Sequence, residues 1–154
     1  MRYHANVRFR YVLDTDVVVA ALRSDQGASR QLLVAALNRE FDLMLSVPLI
    51  LEYEAVLTRP EHLAVFRISK AEVSSVLDDL AAIAQPVNID FRWRPSLPDP
   101  DDDMVLETAV NGNADGIVTF NLRHFQVISK TFDCAVLLPR EALQQIRSSI
   151  HETE

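Results

Sequence analysis

The chain reads as an α/β protein, a three-layer α/β/α sandwich around a mostly parallel sheet, on three observations. Short apolar runs alternate with helical patterns along its length. The runs are spaced by helices of ten or more residues, the length a parallel crossover needs. Neither a repeat nor a long linker divides the 154 residues, so a single domain with its core at about 10–147 is expected.

Tyr11 to Leu13 is a short strand ending at Asp14, with a helix close behind it in VVVAALRS and another over Ala28 to Glu40. Leu43 to Ser46 is the second strand. Ser46 caps the next helix and Pro48 sits in its first turn, where a missing N–H does no harm; the helix runs to about Thr58, and Pro60 stops it. Ser69 to Ala84 is the clearest helix: Ser69 and Glu72 form a capping box, and Val73, Val76, Leu77, Leu80 and Ile83 mark one face. Pro86 ends it. After an extended VNI and a Pro-rich loop, Asp99-Pro100 opens a helix that stops at Asn111-Gly112-Asn113. Gly116 to Phe120 is a strand, followed by a loop carrying Arg123 and His124. Ala135 to Leu138 is another strand, and Pro139 to Arg147 a closing helix.

Composition narrows the classes. The longest uncharged run, Leu80 to Ile89, contains Pro86 and falls short of the roughly 18 apolar residues of a membrane span. The basic N-terminus lacks the apolar stretch of a secretory signal, so a cytoplasmic protein is expected. Cys134 is the only cysteine and lies in the apolar CAVLL, which rules out an internal disulfide or a Cys-rich zinc cluster and suits a small core residue. The 15 Lys and Arg stand against 22 Asp and Glu, for a net charge of −7. That balance excludes a generic nucleic-acid coat. Any nucleic-acid chemistry here requires metal ions or a local Arg patch to offset the acidic field, and a basic partner fits it.

In a parallel sheet ligand sites gather beyond the carboxyl ends of the strands. Asp14, Ser46 with the helix carrying Glu52, and Asn121 all converge there. Asp102 joins them because it shares a helical stripe with Val105, Leu106 and Ala109, with Asp101 and Asp103 to either side. A capping role for Asp99 and Asp102 explains the same spacing, and periodicity alone leaves Glu52 and Glu54 equally placed. Two carboxylates about 4 Å apart repel by roughly 4 kcal/mol at an effective dielectric near 20, so a cluster of them stays ionised only beside a cation. Oxygen donors without Cys or a His pair suit Mg²⁺ or Mn²⁺ rather than zinc, and such an ion serves phosphodiester hydrolysis.

From YVLDTDVVVAAL through SVPLILEYEAVLTRP to LPDPDDDMVLETAVNGNADGIVTFNLRHF, the chain resembles the PIN-domain family, and within it the VapC-like branch assigned to toxins of toxin–antitoxin systems. The family's opening Asp-Thr-Asn is matched by Asp14-Thr15-Asp16. Its second acid, followed by a Val-Leu pair and an Arg-Pro, selects Glu52 over Glu54. Its third acid is Asp102, with Asp99 as a recurrent companion. Many members carry a fourth acid where this chain has Asn121, a departure that weakens any second metal site.

The resemblance implies a Mg²⁺- or Mn²⁺-dependent endoribonuclease leaving a 5′-phosphate and a 3′-hydroxyl. In it Asp14, Glu52 and Asp102 hold the ion, and Asp16, Asp99 and Asn121 extend the cluster. Thr15 and Thr119 tether carboxylates, and Arg123 and His124 contact RNA phosphate. It also implies a homodimer and a small antitoxin whose basic segment plugs the acidic cleft. Two other readings start from the same residues. One is a haloacid-dehalogenase-like phosphatase with Asp14 as nucleophile, for which LDTDVV fits but the later acidic pair follows RPSLPDP rather than an apolar strand. The other is a catalytically inactive PIN-like module that binds RNA or antitoxin.

Overall fold

Parallel strands make the middle layer of the chain, whose computed structural model describes residues 8–90 and 100–153. In chain order they are β1 (Arg10–Leu13), β2 (Asp42–Leu45), β3 (Gln85–Pro86), β4 (Gly116–Val118) and β5 (Ala135–Leu137). In space they run β3-β2-β1-β4-β5, every pair parallel. The chain therefore winds outward from β1 to β3, returns to lay β4 on the other side of β1, and continues to β5. Right-handed crossovers made in opposite directions put helices on opposite faces. The point where the winding reverses lies between β1 and β4, the place in such sheets where a crevice opens beyond the carboxyl ends.

The helices are α1 (Thr15–Arg23), α2 (Ala28–Leu37), α3 (Val47–Leu57), α4 (Pro60–Phe66), α5 (Lys70–Ile83), α6 (Pro100–Asn111), α7 (Leu122–Thr131) and α8 (Pro139–Thr153). Helix α6 lies against β1, β2 and β4, while α2 packs on α1, α5 and α8. Tyr11, Leu13, Leu43, Leu49, Tyr53, Leu80, Leu106, Ile117 and Phe125 form the buried centre. Each large apolar side chain removed from water there contributes about 1.5–3 kcal/mol. Gly116 lets β4 pack closely on β1: a Cβ at that position would stand 3.2 Å from the Tyr11 ring, which would have to give by a few tenths of an ångström.

Local signals explain most boundaries. Ser46 accepts a hydrogen bond from the Leu49 N–H at the start of α3. At α5 both halves of the capping box form, Glu72 N–H to Ser69 Oγ at 3.1 Å and Ser69 N–H to Glu72 Oε1 at 3.0 Å. Cys134 is buried, and burial followed by the charges of Asp115 and Asp133 pushes its thiol up to about 11.

Expectations are corrected at several boundaries: β4 stops at Val118 rather than Phe120, and α8 continues to Thr153 rather than ending at Arg147. Pro60 does more than end α3, because at the first position of α4 its fixed φ and missing N–H cost nothing. Helix α2 ends at Leu37, short of Glu40, since Arg39 takes a left-handed φ of 58°. The third strand is Gln85–Pro86 rather than the VNI that follows, although the Val87 N–H still donates to the Leu45 carbonyl. Arg123 and His124 lie in the first turn of α7 instead of a loop, the turn opened by a His124 N–H bond to the Asn121 carbonyl and anchored by half-buried Leu122 and buried Phe125. Asp99, expected to cap α6, is outside the described residues.

Candidate active site

At the reversal point the ends of β1 and β4 hold each other through side chains as well as backbone. The Asp14 N–H continues the ladder onto the Val118 carbonyl at 2.9 Å, which delivers the Asp14 carboxylate beside Thr119. Asp14 is the N-cap of α1, taking the Thr15 N–H at 2.8 Å on Oδ1 and the Thr119 hydroxyl at 2.7 Å on Oδ2. Thr119 is fully buried, and its hydroxyl in turn accepts the Asn121 N–H at 2.9 Å. Thr15 therefore tethers Asp14 through its backbone, and Thr119 does so through its side chain.

Asp16, in the first turn of α1, is held by the same strand end. Its Oδ2 accepts from the Phe120 N–H and from the Asn121 side-chain amide, each at 3.2 Å. Its Oδ1 is buried and receives no hydrogen bond from the protein. Burial first, then the charge of neighbouring Asp14, pushes the Asp16 carboxyl up to about 7. Asp14 is likewise raised, by burial, against the opposing pull of Thr119, the Thr15 N–H and His124. Two carboxylates this close satisfy the orphaned oxygen either by sharing a proton or by sharing a cation.

Tyr53 closes the floor of the site. Its hydroxyl donates to the Leu13 carbonyl at 2.5 Å, and burial, then the charges of Asp14 and Asp16, hold the phenol well above its ordinary value. Beside it on α3, Glu52 is half-buried and Glu54 exposed. A second chain of hydroxyls ties α3 to α6. Thr108 donates to the Met104 carbonyl at 2.7 Å, and Ser46 Oγ lies 2.7 Å from Thr108 Oγ1, with both hydroxyl residues buried.

Asp102 is buried at the start of α6 with Val105, Leu106 and Ala109, the stripe its spacing implies; Asp103, expected to one side, is buried too. Across from it on α7, His124 places Nδ1 2.7 Å from Asp102 Oδ2. His124 is also near enough to Asp14 to favour its anion. Arg123 is exposed on the same turn.

Two groups thus form at one rim. Asp14, Asp16, Thr119 and Asn121 make the first, Asp102 and His124 the second, with His124 acting on both. Among the described residues no three His, Cys, Asp or Glu side chains stand together as a ready-made metal cage. The chemistry of the donors still fits a hard divalent ion. Mg²⁺ keeps several waters and is usually held by one or two carboxylates, and here a crowded oxygen-only pair includes a buried oxygen without a partner.

Sequence reasoning missed Tyr53, Thr108 and the pairing of His124 with Asp102. Tyr53 was signalled by its place between Leu49 and Leu57 on the buried face of α3. The other two depend on contacts between elements that no local pattern carries.

A family model described as a PIN domain matches residues 10–123, from β1 into the first turn of α7. No curated protein matches the chain.

Proposed function

Because the chain belongs to the PIN domain family, whose fold is of the nuclease type, we propose that it is a divalent-metal-dependent endoribonuclease. The observation that carries this reading is the Asp14–Asp16 pair at the β1/β4 crevice, a buried carboxyl beside a half-buried one whose Oδ1 is buried and unfilled.

Asp14 and Asp16 would hold Mg²⁺ or Mn²⁺, with Asp102, Glu52 and the side-chain carbonyl of Asn121 completing the set. When bound, such an ion offsets phosphate charge and lowers the pKa of water. The chain's own residues prepare the place. Thr119 and the Thr15 N–H hold Asp14 in one orientation, while the Phe120 N–H and the Asn121 amide hold Asp16. His124 steadies Asp102, and Arg123 offers a cation for phosphate. Water adds to phosphorus, the P–O3′ bond breaks and a proton passes to O3′, leaving a 5′-phosphate and a 3′-hydroxyl.

The toxin role belongs to the same proposal. A small antitoxin would lay a basic segment over the acidic rim, and the chain would act as a homodimer; the net charge of −7 supports the charge of such a partner.

The test is cleavage of single-stranded RNA by the purified chain with and without Mn²⁺, compared with Asp14→Asn and Asp102→Asn of verified fold. Metal-dependent cleavage lost in both variants supports the reading. Phosphate release from small esters by wild type, or cleavage that survives both substitutions, overturns it. Copurification with a small basic protein, and growth arrest relieved by it, tests the toxin role separately.

A further inference from the structure

Phe120 is 49% exposed, the one aromatic among the large apolar side chains that the described residues leave open to water; the others are Val34, Val47, Leu51 and Val65, on α2 and α3 and α4. It follows the last residues of β4, and its neighbours set its surroundings. Thr119 turns inward to Asp14 and is fully buried, whereas Phe120, in the bend that follows, is open to water. Its backbone N–H donates to Asp16 Oδ2 at 3.2 Å, so the residue sits beside the proposed catalytic carboxylates. On either side along the chain and across from it stand polar groups, Asn121, Arg123 and Asp16.

An isolated aromatic in such company is a poor protein-docking patch and a good platform for a flat, polar-edged ring. The electrostatics of the chain strengthen the case. With a net charge of −7 and a rim of acids, phosphate contacts outside the ion and Arg123 add little, so a contact to an uncharged part of the substrate gains weight. Base stacking on an aromatic is of that kind.

Building on the nuclease reading above, we infer that Phe120 is a positioning platform whose ring stacks on an unpaired base next to the scissile phosphate. A base inside an A-form duplex has both faces covered and is refused. Stacking accepts every base, so the ring sets register along the strand without selecting a sequence. Its contribution is insensitive to salt, unlike that of Arg123.

The experiment compares wild type with Phe120→Ala, Phe120→Leu and Phe120→Tyr on a short single-stranded RNA, read as KM and kcat. Stacking is worth about five- to hundredfold per base in binding. The Ala and Leu variants are expected to raise KM by about tenfold or more with kcat nearly unchanged, and Tyr to restore it. On RNA made abasic at the flanking position, wild type and Phe120→Ala become equal. An unchanged KM in Phe120→Ala, or a wild-type KM in Phe120→Leu, overturns the inference. A second readout needs no turnover: 2-aminopurine in the same RNA is quenched when wild type binds and not when Phe120→Ala binds. Cleavage that ignores Phe120 sinks the platform and spares the nuclease. Quenching that depends on Phe120 in a protein that never cleaves does the reverse.

Discussion

His124 Nδ1 stands 2.7 Å from Asp102 Oδ2, joining the third residue of α7 to the third residue of α6. Because a carboxylate only accepts, the ring donates through Nδ1. The bond keeps Asp102 from swinging at the rim. Replacing His124 by Ala is expected to lower RNA cleavage by about 10- to 100-fold, the range typical of lost supporting bonds to a metal ligand. Asn, whose amide reaches the position of Nδ1, retains most of the activity. Mg²⁺ half-saturation measured on both variants checks this, because a purely structural defect would not be rescued by Asn.

Stability without metal should fall as pH rises. Asp16 is raised from 3.8 to about 7, so between those values the folded chain keeps a proton that the unfolded chain releases. Folding stability is then greatest below about pH 4 in this contribution, declines toward pH 7, and is flat above it. Urea midpoints in chelator across pH 4–8 should show that slope in wild type and a weaker one in Asp16→Asn. At pH 7.5 Mg²⁺ at about a hundred times its Kd should add about 2.7 kcal/mol.

Tyr53→Phe removes one hydroxyl from a completely buried place and deprives the Leu13 carbonyl of its donor. The expected loss is about 1–3 kcal/mol, measured by denaturant unfolding, with cleavage per folded molecule little changed.

Ser46 and Thr108 should prove coupled. Thr108 spends its proton on the Met104 carbonyl, so Ser46 donates to Thr108 while accepting the Leu49 N–H. Ser46→Ala is expected to cost about 1–2 kcal/mol through the lost cap and bond. With Thr108→Val the pair should fall short of additivity by at least about 0.5 kcal/mol in a double-mutant cycle.

Much of this architecture was legible in the chain. Ser46-Val-Pro, the Ser69/Glu72 box and the Val105, Leu106, Ala109 stripe each state their structure locally, and strands spaced by helices were enough for a parallel sheet. Helix α7 was not legible, since NLRHF opens no apolar run and its first turn depends on Asn121 and on Phe125 finding the core. Strand β3 was shifted because pairing with Met44 and Leu45, rather than propensity, decides it. At the site, the strand-end rule pointed to Asp14, and the helical stripe with Val105, Leu106 and Ala109, then the family resemblance, to Asp102. The weight carried by Asp16 was harder to see, because its raised affinity for a proton comes from burial and from Asp14 in three dimensions.

The outermost strand on one flank is two residues long and ends in Pro86, which has no N–H to offer. A visiting strand would find almost nothing to copy there. This margin is guarded against runaway fibrous growth and strand exchange by edge-to-edge pairing.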